Sequence, residues 1–361
     1  MSDSARTDLL RALDASMNRA SEAARVVEDY TRFILDDQGL TRLAKSIRHD
    51  LARATESTPI DTRLTARDTQ GDVGREVTTP TEGIRQDAWH VCQANLSRLH
   101  QSLRSIEEFS KTLDPALAQK IEAMRYRSYT LAKAIGATRE GRERLDGVKL
   151  YVLVDGLESE QAFGKLVATL CDAGVGALQL RDKRLADRAL LDRARKLVSI
   201  CSQAGVVSIV NDRPDVAKIA RADGVHLGQE ELSVRDARGV VGPEAVIGIS
   251  THNVDQLRQA VLDGASYVGL GPTFASSTKS FDSLSGLEYL AAAAAESTLP
   301  GFAIGGITLS NLNEVLTTGV ERIAVGAAIT EAPDPAEATK EFLGLLNAPR
   351  PTAIGSGAEQ G

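Results

Sequence analysis

Two patterns of apolar and polar positions divide the chain. From Asp8 to about Ala137, apolar residues recur at helical spacing, most clearly over 9–35 and 84–113. Further along, short β-rich runs alternate eight times with amphipathic stretches. Single helices between strands favour parallel βαβ units, and eight units fit a closed barrel better than an open sheet. The predicted strands are KLYVLV, ALQLR, VSIVND, GVHLG, VIGIST, YVGLGPT, FAIGGI and RIAVGAA.

The predicted fold class is therefore α/β, a (β/α)8 TIM barrel preceded by a separate all-α helical domain. The helical domain is expected over 1–137 and the barrel over 148–346. The charged, glycine-bounded segment 138–147 indicates a linker or a frayed helix end. Pro, Gly, Ser and Ala dominate 347–361, which predicts a disordered tail.

The helical region contains an internal duplication. Glu28 matches Glu107 at the same offset as Tyr30 matches Phe109, and Arg48 of the next helix matches Arg125. Two helical hairpins of common pattern should pack as a small bundle with quasi-twofold symmetry.

Charged residues of this region have two interpretations. Arg19, Glu22, Arg25 and Glu28 lie at spacings that predict intrahelical ion pairs on a solvated face. A polar, glycine-containing stretch at 63–82 is long for a plain connector, which makes it a candidate functional loop. The candidate site residues of the helical domain are Asn18, Arg19, Arg48, His49 and Asp72.

Composition narrows the class of protein. The chain is 42% hydrophobic and 25% charged, and no apolar run approaches the length of a membrane span. A net charge of -7 argues against nonspecific nucleic-acid binding, so an anionic substrate must meet local basic groups. The N-terminus lacks a secretory pattern, which predicts a cytoplasmic protein. Cys92, Cys171 and Cys201 fall in separate helical patterns and are expected to be reduced, buried thiols.

Unusual polar residues follow the predicted strands, where the loops of such a barrel build the active site. Arg181, Lys183 and Lys279, with hydroxyls nearby, could surround a group with several phosphoryl oxygens. Asp212 and Glu231 add hard oxygen ligands suited to Mg2+, although Asp212 could instead cap the next helix. The candidate substrate-binding residues are Gln179, Leu180, Arg181, Asp182, Lys183, Asn211, Ser250, Ser276, Ser277, Thr278, Lys279, Gly306, Gly326 and Ala327.

The remaining signals are less specific. Glycines end strands seven and eight, the usual phosphate site of this architecture, but they could also serve only tight turns. His226 alternates inward and is interpreted as a core or supporting residue, whereas His252 at a strand end stays open as a base. No Ser or Cys lies near a His-Asp partner in motif form, so nucleophilic hydrolysis has no support.

The barrel resembles the thiamine-phosphate synthase family. QLRDK, IVNDRPDVA, ADGVHLGQEEL, GISTHN, YVGLGPTFASSTK and AIGGIT occur in that family's order and spacing over about 150–346. The resemblance implies a transferase that joins 4-amino-2-methyl-5-hydroxymethylpyrimidine diphosphate to a thiazole phosphate and releases pyrophosphate. It assigns Asp212 and Glu231 to magnesium, although the family usually has Asp at the second position. Ser276 likewise stands where the family more usually has Thr.

The resemblance also implies individual roles. Gln179, Arg181, Lys183, Asn211 and Lys279 would contact the pyrimidine diphosphate, and Ser250 would lie near the pyrimidine or pyrophosphate. Ser276 and Thr278 would meet the thiazole phosphate, which would receive backbone donors from Gly306, Gly326 and Ala327. Lys183, Lys279 and Arg181 would be catalytic because they stabilise the leaving-group charge.

The helical region resembles a domain fused to such synthases in some bacteria, which is associated with phosphorylation of hydroxymethylpyrimidine phosphate and would need ATP. No Walker-type loop is visible, so a docking or dimerisation module without catalysis stays open, as does a homo-oligomer. For the barrel, the alternatives are a thiazole tautomerase-like enzyme and a regulatory phosphate-binding barrel.

Overall fold

The computed structural model describes residues 3–56, 85–275 and 284–349. These residues form an N-terminal helical region followed by a closed barrel of eight parallel strands in sequential order. The chain divides into two compact units. The first comprises Met1–Glu143, Val254–Ser266 and Ala295–Leu299, and the second comprises Arg144–Asn253, Tyr267–Ala294 and Pro300–Gly361.

Among the described residues, four long helices form most of the first unit, and α1 packs against α2 and α3. Their bounds are α1 Asp3–Phe33, α2 Gln38–Thr55, α3 Ala88–Ser110 and α4 Pro115–Arg144. The core between them is built from small and aliphatic side chains such as Leu13, Met17, Leu103 and Ile121.

The duplication is visible in matching contacts of the two hairpins. Arg48 donates to Glu28 at 2.5 Å, and the equivalent Arg125 donates to Glu107 at 2.8 Å. Asp37 accepts the backbone N–H of Leu40 at the start of α2. At the start of α4, Asp114 accepts two backbone N–H groups in the same way. Each hairpin therefore repeats both an interhelical ion pair and a helix cap.

Two expectations about this region need correction. Glu28 does not lie on a solvated face, since it is 5% exposed and pairs with Arg48 of α2 rather than along its own helix. Residues 138–144, for which a linker or a frayed helix end is expected, continue helix α4 as far as Arg144, so the linker interpretation is wrong for them. A Cβ at Gly141 would collide with the main chain of Ser266, so this glycine permits close packing within a helix and does not end it.

The barrel confirms the eight predicted strands. They are β1 Leu150–Val154, β2 Ala177–Leu180, β3 Val207–Asn211, β4 Gly224–Leu227, β5 Val246–Thr251, β6 Tyr267–Leu270, β7 Gly301–Ile304 and β8 Arg322–Val325. Strand β8 pairs with β1, with Tyr151 opposite Ala324, and closes the barrel. Aromatic side chains of Tyr151, Tyr267 and Phe302 contact one another within the core cluster of this unit.

Helices follow each strand along the chain. They are α5 Glu160–Asp172, α6 Asp187–Ala204, α7 Pro214–Ala220, α8 Val234–Val241, α9 Val254–Asp263, α10 Gly286–Glu296, α11 Leu312–Thr317, α12 Ala327–Thr330 and α13 Pro335–Asn347. The three cysteines are free and buried, as predicted. Within the described ranges, none of the helices is long and apolar enough to cross a membrane. The predicted disordered tail falls, from Arg350 onward, outside the described residues.

Candidate active site

The ends of β2 and β3 bring together two of the predicted site residues. Lys183 Nζ lies 3.1 Å from Asp212 Oδ2. Asp212 has a left-handed backbone (φ 60°), and its N–H donates to the carbonyl of His226 on the adjacent strand at 2.8 Å. A left-handed conformation is several-fold more common for Asp and Asn than for other non-glycine residues. The turn after β3 therefore presents this carboxylate at the strand end.

Helix capping does not account for Asp212. The residue at the N-cap of α7 is Arg213, and its side chain makes no cap hydrogen bond. Arg213 instead pairs with Asp187 and Asp215 at 2.7 Å each. The Asp212 carboxylate therefore pairs with Lys183 and is available to a ligand at the strand ends.

Arg181 follows β2, and its N–H extends the strand pairing by donating to Val154. Its side chain is half-buried, and among the described residues its guanidinium has no hydrogen bond or ion pair. A half-buried cation without a carboxylate partner is suited to an anion.

Asp182 has a different environment from its neighbours. Its side chain is 2% exposed, and its two oxygens accept from Arg184 and from the backbone N–H of Gly156. The hydrogen bond from the Arg184 guanidinium, which outweighs the desolvation, lowers the pKa of Asp182 to about 2. This carboxylate therefore braces the loop after β1 against the loop after β2. Leu180 is fully buried, so its side chain belongs to the packing of the strand.

Polar side chains in the barrel interior form a continuous chain of hydrogen bonds. Gln179 donates to the Tyr151 hydroxyl at 2.5 Å, and Tyr151 and Tyr267 share a hydrogen bond of 2.9 Å. His226 contacts Tyr267 through Nδ1 at 3.0 Å and Ser250 Oγ through Nε2 at 2.9 Å. Gln179 and Ser250, on β2 and β5, are thereby connected.

Burial sets the protonation of this group. Desolvation lowers the pKa of His226 to about 4 and raises the pKa of both tyrosines. His226 is 9% exposed, which confirms its interpretation as a core or supporting residue. The His252 ring donates through Nδ1–H to the carbonyl of Gly271, so one ring nitrogen is committed to the main chain.

Glu231 lies in the exposed loop after β4, with its carboxylate folded over Gly228. A Cβ at Gly228 would collide with that carboxylate, so the glycine makes room for it. Asp212 and Glu231 follow neighbouring strands, and no group of three or more His, Cys, Asp or Glu that could hold a metal is found among the described residues. Two carboxylates match the way Mg2+ is commonly bound, by few protein ligands together with water and substrate phosphates.

Glycines after β7 are required by the backbone. Gly305 and Gly306 both have positive φ (102° and 62°), and a Cβ at Gly306 would collide with the carbonyl of Ala275. Both glycines therefore permit a tight turn, which is compatible with a turn alone and with a phosphate site. Gly326 precedes the short helix α12 with open space around it, the nearest atoms to an added Cβ being 3.9 Å away.

Several predicted site residues cannot be placed. Ser276, Ser277, Thr278 and Lys279 of the barrel and Asp72 of the helical domain lie outside the described residues. In the helical domain, Arg48 lies 3.4 Å from the His49 ring, while Asn18 donates along α1 to Asp14. Arg19 is exposed.

Sequence reasoning missed Tyr151 and Tyr267. Both lie near the starts of their strands, whereas the predicted site residues follow the strand ends. The available signal was a hydroxyl on an inward-facing strand position, because a buried tyrosine hydroxyl needs a partner.

The closed barrel, with polar side chains at the ends of its strands, defines a protein of the TIM-barrel enzyme class. A family model described as thiamine monophosphate synthase matches residues 150–329, and a model of the ThiD2 family matches 11–134. The chain belongs to the thiamine-phosphate synthase family, whose members are transferases.

Relatives support this over most of the chain. A thiamine-phosphate synthase of Rhodopirellula baltica is 42% identical over 330 residues, covering 89% of this chain and 88% of the relative. One from Synechocystis sp. is 38% identical and covers 96% and 99%. The solved structure of a thiamine phosphate pyrophosphorylase from Pyrococcus furiosus has a TM-score of 0.50 at 32% identity, covering 55% of this chain and 95% of that one.

Proposed function

We propose that the barrel condenses 4-amino-2-methyl-5-hydroxymethylpyrimidine diphosphate with thiazole phosphate to give thiamine phosphate and pyrophosphate. The observation that carries this proposal is the meeting of Lys183 and Asp212 at 3.1 Å, beside the half-buried Arg181, in a chain of this family. A cation and a carboxylate at adjacent strand ends are the groups that a metal-bound diphosphate requires.

The proposed roles follow the strand ends. Gln179, Arg181, Lys183, Asn211 and Lys279 bind the pyrimidine diphosphate, and Ser250 lies beside it. The thiazole phosphate is held by Ser276 and Thr278, with Ser277 nearby, and by backbone N–H groups of Gly306, Gly326 and Ala327. We assign Asp182 to bracing the loop that carries Arg181 and Lys183, since both of its oxygens are already engaged.

Asp212 and Glu231 are the proposed magnesium ligands. Mg2+ would neutralise charge on the pyrophosphate as it leaves. Glu reaches about one methylene farther than Asp, and the Glu231 carboxylate lies over Gly228.

The reaction needs no strong base. The bond between the pyrimidine methylene carbon and the diphosphate oxygen breaks, and pyrophosphate keeps the electron pair. The aminopyrimidine delocalises the resulting positive charge until the thiazole nitrogen attacks that carbon. The protein stabilises the departing anion with Arg181, Lys183 and Lys279, while the low pKa of His226 keeps this ring neutral near pH 7.

A coupling assay tests this proposal. Full-length protein with both substrates and magnesium should yield thiamine phosphate and pyrophosphate in equal amounts. Turnover of a thiazole carboxylate isomer without pyrophosphate would support the tautomerase alternative instead. Absence of any turnover, with phosphate ligands still bound, would support a regulatory barrel.

For the helical domain, we propose phosphorylation of hydroxymethylpyrimidine phosphate by ATP, which supplies the diphosphate that the barrel consumes. The match of residues 11–134 to the ThiD2 family supports this step. Full-length protein should release ADP only when the pyrimidine monophosphate is present. ADP release at the same rate without it, or none at all, would leave a docking or dimerisation module, which sedimentation of the full chain would detect. A cytoplasmic location, small-molecule substrates only and no nucleic-acid partner complete the proposal.

A further inference from the structure

The hydrogen-bonded chain from Gln179 to Ser250 inside the barrel is more deeply buried than the residues at the strand ends. Gln179, Tyr151, Tyr267 and His226 are 2%, 3%, 1% and 9% exposed. A Cβ at Gly248 would collide with the Tyr267 ring, so strand β5 has a glycine where this ring crosses the interior. Both ends of the chain, Gln179 and Ser250, are proposed substrate contacts. The rings of Tyr151 and Tyr267 pack in the core, while their hydroxyls and the His226 ring are buried polar groups paired with one another.

The order of protons along this chain is determined at one end. The Gln179 amide nitrogen can only donate, so the Tyr151 oxygen accepts and its single proton points to Tyr267. The Tyr267 proton then points to His226 Nδ1. The ring is enclosed with a hydroxyl at each nitrogen, so its own proton lies on Nε2 and is donated to Ser250 Oγ.

We infer that Tyr151, Tyr267 and His226 are positioning residues that hold Ser250 as a hydrogen-bond donor toward the pyrimidine diphosphate. This inference rests on the proposed function of the barrel. Because His226 occupies a lone pair of Ser250 Oγ, the serine proton is free to point at a ligand acceptor. Both the ring nitrogens of a pyrimidine and the oxygens of a diphosphate are acceptors. The reverse order would aim that proton at His226 and offer the anion only lone pairs.

The tautomer of His226 tests the order of protons without substrate. Nitrogen-15 spectra of histidine-labelled full-length protein near pH 7.5 should show His226 as the Nε2–H tautomer, identified by its loss in His226→Gln. Tyr267→Phe removes the hydroxyl proton that makes His226 Nδ1 an acceptor, so His226 should become a mixture of the two tautomers. Tyr289→Phe is the matched control, since Tyr289 is a buried tyrosine that donates to Thr251 at 2.6 Å outside this chain, and it should leave the tautomer unchanged. An Nδ1–H tautomer in the wild type would overturn the inference.

Kinetics test whether Tyr267 acts through Ser250. Tyr267→Phe should raise KM for the pyrimidine diphosphate about tenfold with kcat changed less than about threefold, the pattern of a lost binding interaction. In a Ser250→Ala background the same substitution should change KM less than about twofold, because the serine it orients is gone. Effects that multiply would show that Tyr267 acts by some other route.

Three cases separate a failure of the proposed function from a failure of the positioning role. If Tyr267→Phe does not fold, Tyr151→Phe interrupts the same chain one hydroxyl earlier and is subject to the same criteria. If the wild type shows no coupling activity yet His226 has the Nε2–H tautomer, the proposed function fails while the proton order stands. If coupling is normal and the tautomer is Nδ1–H, the positioning role fails alone.

Discussion

At Asp212, backbone conformation and charge both matter for the site. Its left-handed backbone is tolerated by Asp and Asn but strained for Ala, so Asp212→Asn removes the charge and preserves the turn. We expect Asp212→Asn to lower kcat/KM for coupling by about 100- to 1000-fold, because a metal ligand and the partner of Lys183 are lost together. Steady-state coupling rates and a thermal melt would measure activity and folding separately.

Asp215→Asn is the matched control for that substitution. Asp215 lies three residues away and pairs with Arg213, outside the proposed site. Its replacement should leave coupling within about twofold of wild type. A small effect of Asp212→Asn, equal to that of Asp215→Asn, would remove Asp212 from the metal site.

Asp182 predicts a pH dependence of stability. Its pKa is about 2 in the folded chain against an ordinary value of 3.8, because Arg184 donates to it. A carboxyl whose folded pKa is depressed stabilises the fold above its unfolded pKa, and that contribution is lost as pH falls from about 4 to 2. The wild type should therefore lose up to about 2 kcal/mol of unfolding free energy over this pH range through Asp182. Asp182→Asn should not show that part of the loss.

Denaturant unfolding of the wild type and of Asp182→Asn between pH 5 and 2 measures this difference. Asp155→Asn serves as the control, because Asp155 pairs with the same arginine but is 46% exposed on its side chain. If the two variants show the same pH dependence, the bracing role of Asp182 is wrong.

At the scale of elements, the spacing of apolar residues and the alternation of β-rich and helical stretches were sufficient to predict all eight strands and the duplicated hairpins. They failed at 138–144, where the charged, glycine-bounded pattern indicates a linker or a frayed helix end, although Gly141 packs against Ser266 inside a helix. They also failed at Glu28, whose partner Arg48 comes from the next helix. The meeting of Lys183 and Asp212 could be predicted because parallel strands end at one edge. The Tyr151–Tyr267 chain could not, since it depends on which side chains meet across the barrel interior.

The repeated ion pair of the hairpins gives a prediction at this scale. Arg125 and Glu107 have side chains 10% and 3% exposed, so removing the glutamate charge leaves a buried cation unpaired. Glu107→Gln should destabilise the first unit by about 3–5 kcal/mol. Trp89 of α3 is the sole tryptophan, so its fluorescence during urea unfolding reports on this unit alone.

Two further variants separate charge pairing from general damage. Glu108→Gln, at the exposed neighbouring position that pairs with Arg104, should have little effect on the Trp89 transition. Glu107→Leu combined with Arg125→Met should recover most of the loss, because apolar residues of similar volume can replace a buried ion pair. If Glu107→Gln lowers the unfolding free energy no more than Glu108→Gln does, the repeated ion pair is not important for stability.

Over the whole molecule, the first unit is assembled from distant parts of the sequence. Besides residues before Glu143 it includes Val254–Ser266 and Ala295–Leu299. Glu296 of this unit accepts from Arg42 and from Arg258, and both arginines lower the pKa of its carboxyl against the opposing desolvation. A fragment ending at residue 137 or 143 therefore lacks part of its own packing, which is why the kinase assay requires the full chain.

Asp37 tests this assembly directly. Its carboxylate is 1% exposed and accepts from Leu40 N, Ser297 Oγ and Thr298 N, each at 2.8 Å. Asp114 is its counterpart in the second hairpin and accepts only at the start of its own helix. Asp114→Ala should cost about 1 kcal/mol, the value of a helix cap. Asp37→Ala should cost about 3 kcal/mol or more, since it also leaves buried donors unpaired. Equal losses in the Trp89 unfolding transition would show that residues 297–298 add nothing to the stability of the first unit.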